Sequence, residues 1–254
     1  MASCDLLRGK VALITGAARG IGRGIAQSLA EWGARIVIHY RSSEEEAHHT
    51  LRSLPGEGHF VLKGDVTDPD YCKQLVEHTV QRAGKLDILV NNAGIYEALP
   101  FSEPDYARWQ QEWRRMFDTN FFSAVNIAYH AVRVMRQQGS GKIIFIASRA
   151  GLRGEQQHSH YAASKAALVV LARSMAVELA KENIQVYAVA PGWVGTELAQ
   201  ETLKRRGAEI VAQIPVGRVA DPLDVGRAVR FLASPDADYL TGITLDVNGA
   251  SYIR

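Results

Sequence analysis

Cysteine, long apolar runs and net charge are all scarce in this sequence, and each scarcity argues against a class of protein. The two cysteines, Cys4 and Cys72, supply neither a disulfide framework nor the spacing of a metal site. No stretch approaches the roughly 18 uninterrupted apolar residues of a membrane span, and the N-terminal residues include no apolar segment typical of a signal peptide. We therefore expect a soluble, cytoplasmic protein without a bound metal.

The charge balance argues against nucleic acid and anionic membranes as partners. Lysine and arginine number 29 against 27 aspartates and glutamates, which leaves a formal charge of only +2. Hydrophobic residues make up 47% of the chain and charged residues 22%, as in ordinary globular proteins. No repeat, low-complexity tract or linker divides the 254 residues, so we predict one domain covering residues 1–254.

Short apolar runs alternate with helical patterns along the whole chain. Strands are predicted at Lys10–Thr15, 33–43 with a polar end, Phe60–Val66, 86–94, Lys142–Ala147, Ile184–Ala190 and Gly242–Asn248. Helices are predicted at Arg23–Glu31, Glu44–Leu54, Pro69–Arg82, one or two within Asp105–His130, Tyr161–Leu179 and Asp224–Leu232. This alternation predicts an α/β fold of the Rossmann type, a doubly wound parallel sheet of about seven strands with helices on both faces.

A glycine-rich turn, Gly16–Gly22, separates the first strand from the first helix. Glycines at such a turn let a pyrophosphate approach the positive end of the helix. The spacing is G-x-x-x-G-x-G rather than the G-x-G-x-x-G of the general dinucleotide motif. A plain strand-to-helix turn with spare glycines is the alternative interpretation.

The end of the second strand carries no acidic residue that would bind the ribose of NAD. His39, Tyr40 and Arg41 occupy this position, the next acid is Glu44, and Arg19 lies in the glycine turn. Because arginines there accommodate a 2′-phosphate, the pattern favours NADP(H). Alternatively, both arginines are merely solvated.

Polar residues also follow the third to sixth strands. They are Asp65, Asn92 with Gly94, Ser148 and the segment Pro191–Thr196. Ligands bind outside the carboxyl ends of parallel strands, so these residues predict a binding site at one edge of the sheet. Asp65 could accept a hydrogen bond from an adenine amino group or simply begin the following turn.

Tyr161 and Lys165 are four residues apart in a predicted helix and therefore share one of its faces. A free phenol titrates near pH ~10, and a cation about 4–6 Å away stabilises the phenolate. This pairing predicts a tyrosine that exchanges protons near neutral pH. The alternative is an exposed tyrosine beside a solvated lysine.

Together these motifs resemble the short-chain dehydrogenase/reductase family over essentially the whole chain. Within that family, the sequence is most similar to 3-oxoacyl-[acyl-carrier-protein] reductases and nearly as similar to aldose dehydrogenases. The motifs that carry the resemblance are Thr15–Gly22, Asp65–Val66, Asn91–Gly94, Asn120, Ser148, Tyr161–Lys165 and Pro191–Gly192 with Thr196.

The resemblance implies four catalytic residues. Tyr161 would be the general acid in carbonyl reduction and the base in alcohol oxidation, and Lys165 would lower its pKa and hold the nicotinamide ribose. Ser148 would donate a hydrogen bond to the carbonyl oxygen. Asn120 would kink its helix and hold a water that links Lys165 to solvent.

The resemblance also implies the cofactor contacts. The glycine turn would hold the pyrophosphate, Asp65 and Val66 the adenine, Asn92 the adenosine ribose, and Val194 and Thr196 the carboxamide. The full set is Gly16, Ala18, Arg19, Gly20, Ile21, Gly22, Tyr40, Arg41, Asp65, Val66, Asn92, Ala93, Gly94, Tyr161, Lys165, Pro191, Gly192, Val194 and Thr196. Family members further suggest a homotetramer that uses the Tyr161–Leu179 helix and the last strand.

The segment between Ser148 and Tyr161 is unusually polar, and Trp193 follows the Pro191–Gly192 turn. Such a pocket could suit a sugar, a carboxylate or the phosphopantetheine arm of an acyl carrier protein. For His158 and His160 we favour positions facing solvent or a subunit interface, and their spacing does not suit a metal. The polar segment Glu197–Gly217 is a candidate lid.

We therefore expect an NADP(H)-dependent oxidoreductase that interconverts a carbonyl and an alcohol, with a 3-oxoacyl thioester as the expected substrate. An aldose or polyol dehydrogenase is the first alternative. A non-catalytic NADPH-binding sensor is a second, although the joint presence of Asn120, Ser148, Tyr161 and Lys165 argues against it.

Overall fold

Seven strands form one parallel sheet in the computed structural model, which describes residues 5–197 and 199–254. They are β1 (Val11–Ile14), β2 (Arg35–Tyr40), β3 (Phe60–Lys63), β4 (Ile88–Asn91), β5 (Gly141–Ile146), β6 (Ile184–Pro191) and β7 (Thr244–Val247). Their order across the sheet is β3-β2-β1-β4-β5-β6-β7. Cys4 lies outside the described residues, and so does Leu198 of the predicted lid.

Helices connect the strands within the same described ranges. They are α1 (Gly20–Ala30), α2 (Glu44–Ser53), α3 (Pro69–Ala83), α4 (Tyr106–Phe117), α5 (Ser123–Gln138), α6 (Ala150–Arg153), α7 (Ser159–Leu179), α8 (Gln200–Ala212) and α9 (Pro222–Ala233). A π-helical turn, Asp118–Phe122, joins α4 to α5, and 3-10 turns occupy Ala180–Glu182 and Pro235–Leu240. Among these helices, none combines the length and the apolar character needed to cross a membrane.

Alternate residues of each strand enter two separate hydrophobic cores, one on each face of the sheet. In β1, Ala12 and Ile14 pack with α1 and α9, whereas Val11 and Leu13 pack with α3, α5 and α7. Because both faces of the sheet are covered, its strands appear in the sequence as continuous apolar runs.

The predicted α/β fold with a doubly wound parallel sheet is confirmed, and the differences concern helix boundaries and two additional helices. The first helix begins at Gly20 rather than Arg23, because the glycine turn continues directly into the helix. The region predicted at 105–130 forms α4, the π-helical turn and α5, which continues to Gln138. Two helices were not predicted: the short α6, and α8 within the candidate lid.

Helix N-termini differ in how their free N–H groups are satisfied. The Asp68 and Asp221 side chains accept backbone hydrogen bonds at the starts of α3 and α9, and Asp224 completes a capping box in α9. By contrast, α1 has neither a side-chain cap nor an acidic residue in its first turn. Its backbone N–H groups are therefore available to an anion.

The contact between α1 and α9 is close enough to require glycine. A Cβ atom placed at Gly226 would lie 2.3 Å from the carbonyl oxygen of Gly24, and one at Gly24 would lie 2.5 Å from the carbonyl oxygen of Pro222. The two backbones therefore meet without intervening side chains, and α1 and α9 pack together on one face of the sheet.

We predict that Gly226→Ala lowers the free energy of unfolding by about 1–3 kcal/mol, because the added methyl group must separate the two helices. Urea titration followed by circular dichroism measures this change. Gly207→Ala is the matched control, since in the described part of the chain no heavy atom lies within 4 Å of its Cβ position. That variant should be as stable as the parent or more stable by about 0.5–1 kcal/mol. Equal stability of Gly226→Ala and the parent would contradict the close contact.

Candidate active site

A cleft crosses the carboxyl edge of the sheet where the strand order reverses between β1 and β4. Its volume is about 340 Å³, and a smaller cavity of about 110 Å³ adjoins it. Ile21, Tyr96, Tyr161 and Thr196 line both spaces and so mark their junction.

Most residues predicted to bind a cofactor line the larger cleft. They are Gly16, Ala18, Arg19, Gly20, Ile21, Gly22, Tyr40, Arg41, Asp65, Val66, Asn92, Ala93, Gly94, Tyr161, Lys165 and Thr196. The remaining ones, Pro191, Gly192 and Val194, line the adjoining cavity together with Ser148. Asn120 is 1% exposed and lies behind the wall of the cleft. The candidate catalytic residues and the candidate cofactor residues are thus neighbours in space.

The glycine turn has the shape of an anion cradle. Gly16 and Gly20 have φ values of +62° and +55°, a conformation that residues with side chains rarely adopt. A Cβ atom at Gly22 would lie 2.3 Å from the Gly16 carbonyl oxygen. Together with the uncapped N-terminus of α1, this turn fits the pyrophosphate of a dinucleotide.

Asn92 braces this turn. Its Nδ2 donates to the carbonyl oxygens of Thr15 and Gly16 at 2.9 and 3.0 Å. The Thr15 hydroxyl in turn accepts hydrogen bonds from the backbone N–H groups of Asn92 and Ala93, both at 2.9 Å. The side-chain amide predicted to lie at the adenosine ribose therefore also ties the end of β4 to the glycine turn.

His39 supports the turn from the other side. Its Nδ1 accepts a hydrogen bond from the Gly16 N–H at 3.3 Å, and its Nε2 lies 3.1 Å from the Gly64 carbonyl oxygen. This pair of contacts fits a neutral ring protonated on Nε2. Burial lowers the pKa of His39 to about 4, so the ring stays neutral at physiological pH. In the sequence His39 only marked the absence of an acid at the end of the second strand, and this role was not predicted.

The end of β2 presents positive charge to the cleft. Arg41 and Arg19 are exposed and line it, while Tyr40 is 4% exposed. An Arg41 nitrogen lies 3.6 Å from an Asp65 oxygen, and Asp65 also accepts hydrogen bonds from the backbone N–H and hydroxyl of Thr67. Asp65 thus begins the turn after β3 while its carboxylate lines the cleft.

Lys165 is fixed beside Tyr161 by a buried hydrogen bond. Its ammonium donates to the Ile146 carbonyl oxygen at 2.8 Å and lies 5.8 Å from the centroid of the Tyr161 ring. Lys165 is 5% exposed, and burial lowers the pKa of its ammonium to about 8. The group therefore carries its charge at neutral pH while lying close to the range in which it releases a proton.

The pKa of Tyr161 departs from its ordinary value in the direction opposite to our expectation. Burial raises it, and a hydrogen bond with Ser148 counteracts only part of that rise. The nearby Lys165 ammonium was expected to lower this pKa, but desolvation of the phenolate dominates. At neutral pH Tyr161 is consequently a protonated phenol.

Asn120 occupies the π-helical turn between α4 and α5, where the extra residue breaks helical geometry. Its Oδ1 accepts from the Ile95 N–H at 2.8 Å, and its Nδ2 donates to the Ile95 carbonyl oxygen at 3.0 Å. The same Nδ2 lies 3.3 Å from the Ser164 hydroxyl in α7. Asn120 thereby joins the segment after β4 to the helix that carries Tyr161 and Lys165. The water that the resemblance places beside it stays a prediction.

An aromatic wall that sequence reasoning missed faces Tyr161. The Tyr96 ring stacks on His158 with centroids 4.2 Å apart and planes 4° apart. It meets the Tyr161 ring edge to face at 4.8 Å and Trp193 at 6.2 Å. The only signal in the sequence was the position of Tyr96, two residues after the Asn91–Gly94 motif.

The interpretation of His160 as facing solvent or a subunit interface is wrong. His160 is 1% exposed and packs on Trp113 of α4, with centroids 5.9 Å apart. Trp113 belongs to a helix whose inward face could not be assigned from the sequence. His158 is half-buried against Tyr96 instead of free in solvent.

Comparisons with known proteins agree with this geometry. A family model described as enoyl-(acyl carrier protein) reductase matches residues 16–250. The 3-oxoacyl-[acyl-carrier-protein] reductase FabG of Escherichia coli (strain K12) is 39% identical over 246 residues, covering 96% of this chain and 98% of that protein. The FabG of Staphylococcus aureus (strain N315) is 37% identical with the same coverage. A solved short-chain dehydrogenase/reductase from Brucella melitensis, described as a glucose/ribitol dehydrogenase, superimposes with a TM-score of 0.89 at 31% identity, covering 98% of each chain.

The depressed pKa of His39 predicts how stability depends on pH. Between the ordinary value of 6.5 and the folded value of about 4, the unfolded chain binds a proton that the folded chain does not. His39 therefore makes its full contribution to the free energy of unfolding above pH 6.5. This contribution falls as the pH falls and is about 2 kcal/mol smaller at pH ~4.5. We expect His39→Asn, which can still accept from the Gly16 N–H, to lose less unfolding free energy than the parent between pH ~7 and ~4.5.

Urea titrations of both proteins at the two pH values give this difference directly. His78→Asn serves as the control, because His78 is an exposed histidine on α3. If the free energy of unfolding changes with pH by the same amount in all three proteins, His39 does not titrate as described.

Proposed function

The chain belongs to the short-chain dehydrogenase/reductase family and is an oxidoreductase acting on carbonyl and alcohol groups, and we propose that it reduces 3-oxoacyl thioesters with NADPH. The observation that carries the proposal is the grouping of Ser148, Tyr161 and Lys165 where the two cavities adjoin. Tyr161 lines both, Lys165 lines the larger cleft and Ser148 lines the smaller cavity. The identity with two FabG proteins over nearly the whole chain supports the substrate class.

In this proposal each side chain has a separate task in reduction. NADPH, when bound, supplies a hydride to the carbonyl carbon. The Ser148 hydroxyl donates a hydrogen bond to the carbonyl oxygen as negative charge develops there. Tyr161 transfers its phenolic proton to that oxygen, and the Lys165 ammonium stabilises the phenolate left behind. Asn120 fixes the Ile95 backbone relative to α7. The proposal also includes a proton relay through Asn120.

The proposed preference for NADP(H) rests on the charges at one end of the cleft. Arg41 and Arg19 line the part of the cleft next to Ser42 and Ser43, and the end of β2 carries no acid. A 2′-phosphate placed there would receive charge-assisted hydrogen bonds, whereas a 2′-hydroxyl would lack its usual carboxylate partner. Arg41 would exchange its exposed contact with Asp65 for the phosphate.

A second candidate, oxidation of an aldose or polyol, has specific support. The smaller cavity contains Glu155, Arg149 and Trp193 beside Tyr161, a combination of polar and aromatic groups that suits a polyhydroxylated ligand. The Brucella melitensis structure described as a glucose/ribitol dehydrogenase covers nearly the whole chain. We rank this function second because both FabG proteins are more similar in sequence.

A homotetramer is the proposed assembly, as expected for the family. Val170 and Val177 of α7 are 59% and 85% exposed, and Tyr239 and Ile253 near β7 are also exposed. These apolar side chains lie on the two surfaces expected to pair with other copies, and burying them would stabilise the assembly.

The proposed function predicts that the protein oxidises NADPH in the presence of an acetoacetyl thioester. Tyr161→Phe should lower kcat by about 100- to 10,000-fold, because the reaction then lacks its general acid. Absorbance of NADPH followed in both directions, with the thioester and with a panel of aldoses plus NADP, measures this directly. Binding of NADPH to the variant should change little.

Tyr71→Phe is the matched control, because it deletes a hydroxyl that makes no hydrogen bond within residues 5–197 and 199–254. This variant should keep full activity. Turnover of aldoses without turnover of the thioester would replace the proposed function with the second candidate. Unchanged kcat in Tyr161→Phe with the best substrate would contradict the mechanism.

Cofactor choice yields a separate prediction. Arg41→Ala and Arg19→Ala should each weaken NADPH binding by about 1.5–3 kcal/mol, the value of a charge-assisted hydrogen bond, and should leave NADH binding nearly unchanged. Fluorescence titration with the two cofactors measures both affinities. Arg52→Ala, at the exposed end of α2, is the control for loss of one positive charge. Equal affinities of the parent for NADPH and NADH would overturn the assignment.

A further inference from the structure

Arg149 is a buried guanidinium residue that follows Ser148 directly and lines the same small cavity. It is 3% exposed, and its backbone N–H donates to the Pro191 carbonyl oxygen at 2.9 Å. This backbone contact holds the start of α6 against the end of β6. The position of Arg149 is therefore set by the same strand ends that form the active site.

The Arg149 guanidinium donates a hydrogen bond to a neutral side chain on one of its sides. Its Nη1 donates to the Ser251 hydroxyl at 2.6 Å, and that hydroxyl donates to the Asn248 carbonyl oxygen at 2.7 Å. Across residues 5–197 and 199–254, no carboxylate oxygen lies within 4.0 Å of the Arg149 nitrogens. Glu155 lines the cavity as well, and its negative charge opposes the lowering of the Arg149 pKa by burial. Its carboxylate nevertheless pairs with Arg153 at 3.4 Å and does not come within 4.0 Å of Arg149.

Neighbouring groups indicate that the guanidinium lies beside the aromatic wall of the cavity. Burial raises the pKa of the Tyr96 phenol, and Arg149 is one of the nearby charges that oppose this rise. The Tyr96 ring in turn lies 4.8 Å from the ring of Tyr161. The positive charge and the phenol that delivers the proton thus lie on the walls of one small space.

A buried charge without a counter-ion is costly, and proteins seldom keep one unless it has a partner. The guanidinium is a planar fork of five N–H donors, of which Ser251 accepts from one. The remaining donors suit an oxygen acceptor with partial or full negative charge. Because the site next to them binds a carbonyl compound in the proposed function, the missing acceptor is most simply supplied by the substrate.

We propose that Arg149 is a specificity-determining residue that binds a second acceptor oxygen of the substrate, located two carbons from the carbonyl that Ser148 and Tyr161 hold. This proposal rests on the function proposed above and deepens it. In a 3-oxoacyl compound the reacting oxygen is on C3 and the second oxygen is on C1. A thioester carbonyl and the carboxylate of a free 3-oxo acid both present such an oxygen.

The test compares three ketones in NADPH oxidation assays: acetoacetyl-N-acetylcysteamine, acetoacetate, and pentan-2-one, which lacks the C1 oxygen. Arg149→Met keeps the length of the side chain and removes its charge and donors. We expect its kcat/KM for the thioester to fall about 10- to 100-fold, while the value for pentan-2-one stays within about twofold. A parallel loss with acetoacetate assigns the interaction to any C1 oxygen, and no loss with acetoacetate limits it to the thioester.

Arg153→Gln is the matched control, since it removes a nearby guanidinium that does not line the cavity. It should leave the ratio of thioester to pentan-2-one activity unchanged. An equal loss of activity on the thioester and pentan-2-one in Arg149→Met would mean that Arg149 only maintains the structure, and this result overturns the proposal. Unchanged activity on both overturns it too.

Ser251→Ala gives an independent measurement should Arg149→Met fold poorly. It leaves the guanidinium in place and removes the hydroxyl that orients it, so KM for the thioester should rise severalfold without a change for pentan-2-one. A parent protein inactive on the thioester would refute the proposed function and this proposal together. An active parent matched by Ser251→Ala and Arg149→Met would refute only the role of Arg149.

Discussion

One buried hydrogen bond, from the Lys165 ammonium to the Ile146 carbonyl oxygen, sets the geometry on which the site depends. Ile146 ends β5 two residues before Ser148, and Lys165 lies one helical turn after Tyr161. The bond therefore fixes the strand that carries the hydroxyl against the helix that carries the phenol. Gly151 brings α6 equally close to α7, because a Cβ atom there would lie 2.6 Å from the Ala166 nitrogen.

His39 and Lys165 line the cleft and Arg149 lines the adjoining cavity, and the environment of each buried basic group is different. His39 is neutral, because burial lowers its pKa to about 4 and both ring nitrogens have backbone partners. Lys165 keeps its charge at neutral pH with a carbonyl oxygen as partner. Arg149 keeps its charge with only a hydroxyl as partner. Positive charge is thus concentrated where an oxyanion would form, in a space partly shielded from water, where such charge is most effective.

Those parts of the molecule that depend on local pattern could be predicted from the sequence. Apolar runs, turn residues and the Gly16–Gly22 spacing determine the strands and the cradle, and the parallel topology brings the strand ends together. The π-helical turn at Asn120 and the burial of His160 could not be predicted, because both depend on packing between elements distant in the chain. Tyr96 belongs to the same class, since a tyrosine in a loop carries no periodic signal.

The sequence correctly placed Tyr161 beside Lys165, but the direction expected for the pKa shift of Tyr161 was wrong. Spacing placed Tyr161 and Lys165 side by side, but the balance between attraction to a cation and desolvation depends on burial, which spacing does not reveal. Burial prevails, so the phenol holds its proton at neutral pH. A general acid must be protonated before it acts, whereas a general base must not be. The protonated phenol is thus the form that the proposed role of Tyr161 as a general acid requires.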